Sequence, residues 1–256
     1  MSEPKGLDAF SLEGRTAVVT GARTGIGQAI ALGLAAAGAR LVLWGHEKNF
    51  GETEDILQKS GRLVRTVDAD LANRTRVEDA CSELLKEVEV HILVNNAGII
   101  RRGPAVDSPP ADWDAVMAVN LDSAFLLAQR FGRPMLERGA GKIINIASLL
   151  SAQGGINVVA YTASKHGIAG MTRALANEWA PRGVQVNAIA PGYIRTNNTK
   201  ALFDDPARNK AITERIPAGR WGSPADLVGA AVFLASAASD YVNGHVLAVD
   251  GGWLSR

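Results

Sequence analysis

The sequence predicts an α/β protein: a doubly wound parallel sheet of about seven strands with helices on both faces. Three observations predict it. Short apolar runs alternate with longer segments of helical period. The apolar runs are nearly continuous rather than alternating, as strands buried on both faces must be. A glycine-rich turn joins the first run directly to the first helical segment.

Each element follows from local pattern. Residues 15–20 (RTAVVT) read as a first strand, and 25–38, rich in alanine, as the helix after it. Residues 40–44 and 63–67 read as the second and third strands. In 74–88 charges are interleaved with Val77, Ala80, Leu84 and Leu85, which suits a surface helix. A fourth strand, 91–94, stops at Asn-Asn-Ala-Gly, and a fifth occupies 143–147. Ile168, Met171, Leu175 and Trp179 recur at three and four residues, so 160–180 is a helix with one apolar stripe. Residues 184–189 and 245–249 complete the strands. No internal repeat, low-complexity run or Pro/Gly/Ser linker divides the chain, so 1–256 is expected to be one domain. Residues 1–11 read as an N-terminal tail. The polar, irregular stretch 196–220 reads either as a mobile substrate lid or as an ordinary solvated insertion.

Bulk properties exclude several classes. The 256 residues are 47% hydrophobic and 21% charged, an ordinary globular balance. A formal net charge of +1 gives no electrostatic case for a nucleic acid or an anionic membrane as partner. The most apolar stretch, 29–39, is too short to span a bilayer. The opening Met-Ser-Glu-Pro-Lys-Gly lacks the basic-then-apolar pattern of a secretion signal. The single cysteine, Cys81, fits a reducing compartment. A cytoplasmic protein is expected. His46, His91, His166 and His245 do not fall into ligand spacing, so no metal site is expected.

The glycine turn carries the first functional signal. Gly21-Ala22-Arg23-Thr24-Gly25-Ile26-Gly27 stands between strand and helix. A diphosphate needs backbone N–H groups brought close, with no side chains in the way, at the positive end of a helix dipole. Gly21 lets the chain turn sharply, and Gly25 and Gly27 leave room for phosphates and for tight helix–strand packing. A turn of this kind also serves packing alone, so the downstream residues matter.

Those residues carry a resemblance. The spacing T-G-x-x-x-G-x-G, Asn95-Asn96-Ala97-Gly98 after the fourth strand, Asn120 in the following helix, Ser148 at the end of the fifth strand, Tyr161-Thr-Ala-Ser-Lys165 opening a helix, and Pro191-Gly192 after the sixth strand together resemble the short-chain dehydrogenase/reductase family. The resemblance runs from Leu12 to Gly252 and implies a Rossmann-like fold, an NAD(P) cofactor and, usually, a homotetramer. The apolar stripe Ile168 to Trp179 and the terminal Gly251-Gly252-Trp253-Leu254 either form subunit contacts or finish the core.

The chemistry is legible in part from the residues themselves. Tyr161 and Lys165, four apart on a helix, share a face. A free tyrosine ionises near pH 10, too high for a base at neutrality. A lysine cation roughly 5 Å away, at an effective dielectric near 20, favours phenolate by about 3 kcal/mol. Tyr161 is therefore expected as acid in reduction and base in oxidation, with Ser148 bonding the substrate oxygen. The resemblance implies that Asn120 holds a water linking Lys165 to solvent. It also implies that Asp70, with Leu71 beside it, meets the adenine, that Asn96, Ala97 and Gly98 line the ribose side, and that Lys165 holds the nicotinamide ribose. Ile194 offers backbone to the carboxamide, and Thr196 reaches a phosphate.

An acid at the end of the second strand normally grips the adenosine 2′-hydroxyl and repels a 2′-phosphate. Here that position is Gly45. His46 follows, and Arg23 lies in the glycine turn, both compatible with a 2′-phosphate, whereas Glu47 points the other way. The nucleotide stays open as NAD(P).

Arg101 and Arg102 follow Asn-Asn-Ala-Gly closely, where paired cations suit a substrate carboxylate or, equally, a surface or intersubunit ion pair. Gln153, Asn157, Arg195 and Asn197 can add polar contacts. The runs IINIASLLSAQGGI, YTASKHGI and VNAIAPGYIRTNNT are similar to members of the family that act on sugar acids. This implies a small acyclic sugar acid whose ketone, near C5, is reduced to an alcohol. Two alternatives remain at this level: a reductase of 3-oxoacyl chains held on a carrier protein, and a dinucleotide-binding regulator that has lost the reaction.

Overall fold

A computed structural model of the chain describes residues 6–46 and 49–256. Seven strands form one sheet: β1 (Thr16–Thr20), β2 (Arg40–Gly45), β3 (Leu63–Asp68), β4 (Ile92–Asn95), β5 (Gly141–Ile146), β6 (Val184–Pro191) and β7 (Val246–Val249). All pairs are parallel, in the order β3-β2-β1-β4-β5-β6-β7. The direction of winding reverses between β1 and β4, and a crevice opens there at the C-terminal ends of the strands.

The helices are α1 (Gly25–Ala36), α2 (Glu52–Lys59), α3 (Arg74–Glu87), α4 (Pro110–Met117), α5 (Ser123–Arg138), α6 (Val159–Trp179), α7 (Lys200–Phe203), α8 (Pro206–Arg215) and α9 (Val228–Ala235). Strand side chains alternate between two cores. Ala17 and Val19 of β1 face one core with Ile30, Leu34, Ala231 and Leu234. Val18 faces the other with Val77, Leu84, Phe131 and Leu175. Each large apolar side chain so buried contributes about 1.5–3 kcal/mol. The small residues of α1 let it approach α9 closely: a β-carbon on Gly33 would lie 2.3 Å from Val228 Cγ1. Trp44, fully buried, meets Phe131 edge-on and donates its indole N–H to the Ala69 carbonyl at 3.0 Å.

Every strand expected from the sequence is present, within two residues of its expected ends. Residues 6–10 of the expected tail form a 3₁₀ turn, with Phe10 against Phe233; Met1 to Lys5 and Glu47 lie outside the described residues. Asn120 sits not in an α-helix but in a single π-turn, Ala118–Asp122, between α4 and α5. The apolar stripe of α6 is used inside the protomer: Ile168 and Leu175 are buried, and Trp179 fills the space above Gly132. Trp253 is also buried, in a satellite core with Leu149, Ile212, Ile216 and Trp221. Residues 196–220 contain α7 and α8, and α8 docks on that satellite core through Ile212, with Ile216 just past its end. Among the described residues no helix is long and apolar enough to cross a membrane.

Candidate active site

The crevice begins with the turn after β1. Gly21 and Gly25 have φ of +65° and +62°, a region that strains any residue with a β-carbon. A β-carbon on Gly27 would fall 2.2 Å from the Gly21 carbonyl oxygen and 2.4 Å from Asn96 Nδ2, so only glycine fits. The other wall is laced to this turn by Thr20, whose hydroxyl oxygen accepts from the Asn96 and Ala97 N–H groups at 2.9 and 3.0 Å. Asn96 Nδ2 in turn donates to the Thr20 carbonyl at 2.8 Å. Thr20 opens the T-G-x-x-x-G-x-G spacing, but the spacing gives no role to its side chain, and this link to Asn96 and Ala97 is not read from it.

The cradle fits a dinucleotide. Thr24 caps α1 in extended conformation with no side-chain capping bond, and the first turn holds no acid, so its N–H groups are left to an outside acceptor. Thr196 stands across the turn, its Cγ2 3.5 Å from where a Gly25 β-carbon would be. Ile26 packs on the core, and the Arg23 carbonyl accepts from Thr53 at 3.2 Å. His46 is exposed at the end of β2. Asp70 is exposed and accepts from the Ala72 N–H at 2.9 Å, beside half-buried Leu71. Gly98 lies near Asn120 and Lys165: its β-carbon would be 3.3 Å from Asn120 Oδ1 and 3.9 Å from Lys165 Nζ. At the far side, Gly192 donates to Val249 at 3.0 Å, next to buried Pro191, and Ile194 is buried where it bridges Gly222. These are the residues that would hold the dinucleotide.

Four side chains from three elements converge beside it. Tyr161 and Lys165 share one face of α6, with Lys165 Nζ 5.6 Å from the centre of the Tyr161 ring. Ser148 ends β5, and its hydroxyl hydrogen-bonds the phenol. Asn120 makes three hydrogen bonds, Oδ1 accepting from the Ile99 N–H at 2.8 Å and Nδ2 donating to the Ile99 carbonyl at 2.9 Å and to Ser164 at 3.2 Å, which leaves one lone pair of Oδ1. His166 points away, with Nδ1 against the Thr162 carbonyl at 3.0 Å.

The electrostatics correct one expectation. In the protein alone the net shift of the phenol is upward, not downward. Burial raises the Tyr161 pKa above its usual value; the Ser148 hydrogen bond and the charge of Arg102 oppose this. Burial also depresses Lys165, to about 8. Its ammonium is turned to the Ile146 carbonyl, 2.6 Å away. Burial disfavours the charged form of each group, phenolate and ammonium alike, which moves the two titrations in opposite directions.

The two arginines are separated. Arg102 donates to the Asn198 carbonyl at 2.9 Å and acts on Tyr161, whereas Arg101 pairs with Asp112 at 3.4 Å. Gln153 accepts from the Trp253 indole at 3.3 Å. Arg195 stacks on Phe203, 4.2 Å from the ring centre. Asn157, exposed and at φ 61°, offers its carbonyl to Gly103 at 3.0 Å.

A family model described as enoyl-(acyl carrier protein) reductase matches residues 21–254. The 2-dehydro-3-deoxy-D-gluconate 5-dehydrogenase of Bacillus subtilis is 58% identical, over 97% of this chain and 98% of its own length. The enzyme of the same name from Escherichia coli is 52% identical, over 98% and 99%. A crystal structure of a gluconate 5-dehydrogenase from Burkholderia cenocepacia, in complex with NADP and tartrate, matches with a TM-score of 0.94 and 44% identity, over 98% of this chain and 99% of that one.

Proposed function

The chain belongs to the short-chain dehydrogenase/reductase family, and we propose that it interconverts a ketone and a secondary alcohol on a sugar acid of the keto-deoxygluconate or gluconate type, with NAD(P) as cofactor. The observation that carries this reading is the meeting of Ser148, Tyr161 and Lys165 beside the glycine cradle. The names of its relatives support the substrate class.

The bound dinucleotide supplies or removes the hydride. The residues do the rest. Tyr161 gives its phenolic proton to the carbonyl oxygen in reduction and takes it back in oxidation. Ser148 accepts from the Leu150 N–H at 3.1 Å, which leaves its own hydrogen free to point at the substrate oxygen and hold it beside the phenol. Lys165, on the same face of α6, holds the ribose and supplies positive charge as the phenolate forms. Asn120 keeps the π-turn and the Ile99 main chain in place behind Lys165 and holds a water between that lysine and solvent. Arg102 takes the substrate carboxylate in exchange for the Asn198 carbonyl, and the 196–220 segment covers the site. In this reading the protein is cytoplasmic and homotetrameric, and the half-exposed Trp113, Phe125 and Val159 on α4, α5 and α6 are buried between subunits.

An assay panel tests the proposal: 5-keto-D-gluconate, the 5-keto oxidised partner of 2-dehydro-3-deoxy-D-gluconate and a 3-oxoacyl thioester, each with both reduced nucleotides, and 2-dehydro-3-deoxy-D-gluconate itself with both oxidised nucleotides. Turnover of a sugar acid that is lost in Tyr161→Phe, with nucleotide binding retained, is the expected result. Turnover of the thioester alone replaces the substrate assignment, and nucleotide binding without any turnover supports a regulator.

A further inference from the structure

We propose that Ser151 is a positioning residue that fixes Ser148 relative to Tyr161 and Lys165. The inference rests on the reading above, in which those three act on the substrate.

Ser148 and the Tyr161–Lys165 pair stand on different elements. Ser148 follows β5, the pair belongs to α6, and a loop of irregular backbone runs between them. Catalysis needs the two hydroxyls placed on one substrate oxygen, where errors of about 1 Å cost orders of magnitude in rate. Neither the sheet nor the helix supplies that alignment by itself.

One hydroxyl joins the two sides. Ser151 Oγ accepts from the Ser148 N–H at 3.3 Å and donates to the Lys165 carbonyl at 2.7 Å. The main chains of two of the three groups are thus tied through a single atom. The first bond is half of a capping box on the 3₁₀ turn Leu149–Ser151, and turn geometry alone accounts for it. Turn geometry does not account for the second. A three-residue turn needs no acceptor fourteen positions on, in the interior of another helix, and a helical carbonyl has a second lone pair to give.

The reciprocal half of the box completes the alignment. Ser148 Oγ accepts from the Leu150 N–H at 3.1 Å, so the turn that Ser151 anchors also sets the direction of the Ser148 hydrogen. The turn is held at its base as well: Leu149 is buried in the satellite core, and the Gln153 N–H donates to its carbonyl at 3.2 Å.

Replacing Ser151 by alanine removes both bonds and leaves the helical bonding of α6 intact. The Ser148 contact with the phenol then loosens. The groups that face the phenol are Ser148, Arg102 and, on its own helix, Lys165; the turn carries Ser148 and reaches Lys165 only at its main-chain carbonyl, which the helix also holds in place. Loss of its hydrogen bond leaves the upward effect of burial less opposed, so the Tyr161 titration moves to higher pH.

The test compares the full-length wild type with Ser151→Ala, Ser151→Thr and Tyr161→Phe. Three measurements are made: ultraviolet titration of tyrosine, with Tyr161→Phe subtracted to isolate the one phenol among three; NADPH binding by fluorescence; and steady-state kinetics with 5-keto-D-gluconate. Ser151→Ala is expected to raise the Tyr161 titration midpoint and lower kcat about tenfold, with NADPH affinity and melting temperature near wild type and Ser151→Thr restoring both readouts. An unchanged titration midpoint in Ser151→Ala overturns the proposal, and so does a loss of activity that follows a loss of NADPH binding or of thermal stability. Full turnover by Tyr161→Phe would instead sink the catalytic reading on which it rests.

Discussion

The ring of Phe50 lies over Gly45: a β-carbon added at Gly45 would stand 3.1 Å from Phe50 Cε1 and 3.2 Å from Cζ. Phe50 is only 2% exposed and belongs to the main core, so the end of β2 has no room for a carboxylate unless the ring moves. The position that would repel a 2′-phosphate is therefore crowded, and a side chain there must push the Phe50 ring aside. Gly45→Asp is expected to weaken NADP⁺ binding relative to NAD⁺ by at least about tenfold, near 1.4 kcal/mol, and to destabilise the fold by about 1–3 kcal/mol through displacement of Phe50. Calorimetric titration with each nucleotide, beside a urea melt, checks both. An unchanged affinity ratio would mean that groups elsewhere choose the nucleotide.

The two arginines give a second contrast. Arg102 acts on Tyr161 and spends its hydrogen bond on a backbone carbonyl, Asn198, whereas Arg101 is already matched with Asp112. A guanidinium held only by a neutral acceptor is available to a carboxylate, for which charge-assisted bonds contribute about 1.5–3 kcal/mol. Arg102→Ala is expected to raise KM for a sugar acid by about tenfold to a hundredfold, with NADPH affinity unchanged. Arg101→Ala should change KM by less than about threefold. Equal effects from the two would remove Arg102 from its role.

At the N-terminal end of the central strand β4, His91 makes stability depend on pH. Its Nδ1 accepts from the Thr16 N–H at 3.1 Å, which requires the neutral ring. Burial lowers its pKa, Arg138 and Arg15 add to this, and Glu89 opposes it. In the unfolded chain histidine titrates near 6.5. Between that value and the lower folded one the unfolded state binds more protons, so the contribution of His91 is complete above about pH 6.5 and is lost as pH falls. His91→Asn, which keeps an acceptor but cannot titrate, should flatten this decline. Urea midpoints at about pH 7.5 and pH 5.5 measure it, and an equal drop in both proteins would assign the acid sensitivity to other groups.

What could be read from the sequence, and what could not, divides along physical lines. The strands were legible because each is a run of apolar residues between polar breaks, as in Val18–Val19 or Ile143–Ile144, and double-sided burial leaves no other pattern. Tyr161 and Lys165 were legible as a pair because residues four apart on a helix share a face, whereas Ser148 was singled out by the family resemblance, since a serine after a strand has no distinctive pattern of its own. The environment of Tyr161 was not legible. The distance of Lys165 from the ring came out close to expectation at 5.6 Å, yet desolvation, which depends on everything packed around the pair, set the direction of both titrations. The fates of Arg101 and Arg102 depended on Asp112 and Asn198, partners that no local pattern announces. Ser151 reads in the sequence as a serine after two leucines; its acceptor lies on another element.

Lys165 marks where activity and stability oppose each other. Its side chain is 4% exposed, and its pKa falls from 10.5 to about 8 because burial penalises the ammonium. Below pH 8 the cation is kept at a cost of about 3 kcal/mol, the free energy of moving a titration down from 10.5 to 8. The sign follows from proton counts: between pH 8 and 10.5 the unfolded chain binds more protons, so stability rises with pH across that window. Lys165→Met keeps much of the volume and removes the charge, leaving the Ile146 carbonyl without its donor, a loss of about 1–2 kcal/mol. The net expectation is a protein more stable by about 1–2 kcal/mol at neutral pH, with its rise in stability above pH 8 abolished and its turnover lost. Urea melts at about pH 7 and pH 9.5 on both proteins decide the matter. A variant less stable than wild type at neutral pH would show that the buried ammonium is already compensated, and that the depressed titration is not a burden on the fold.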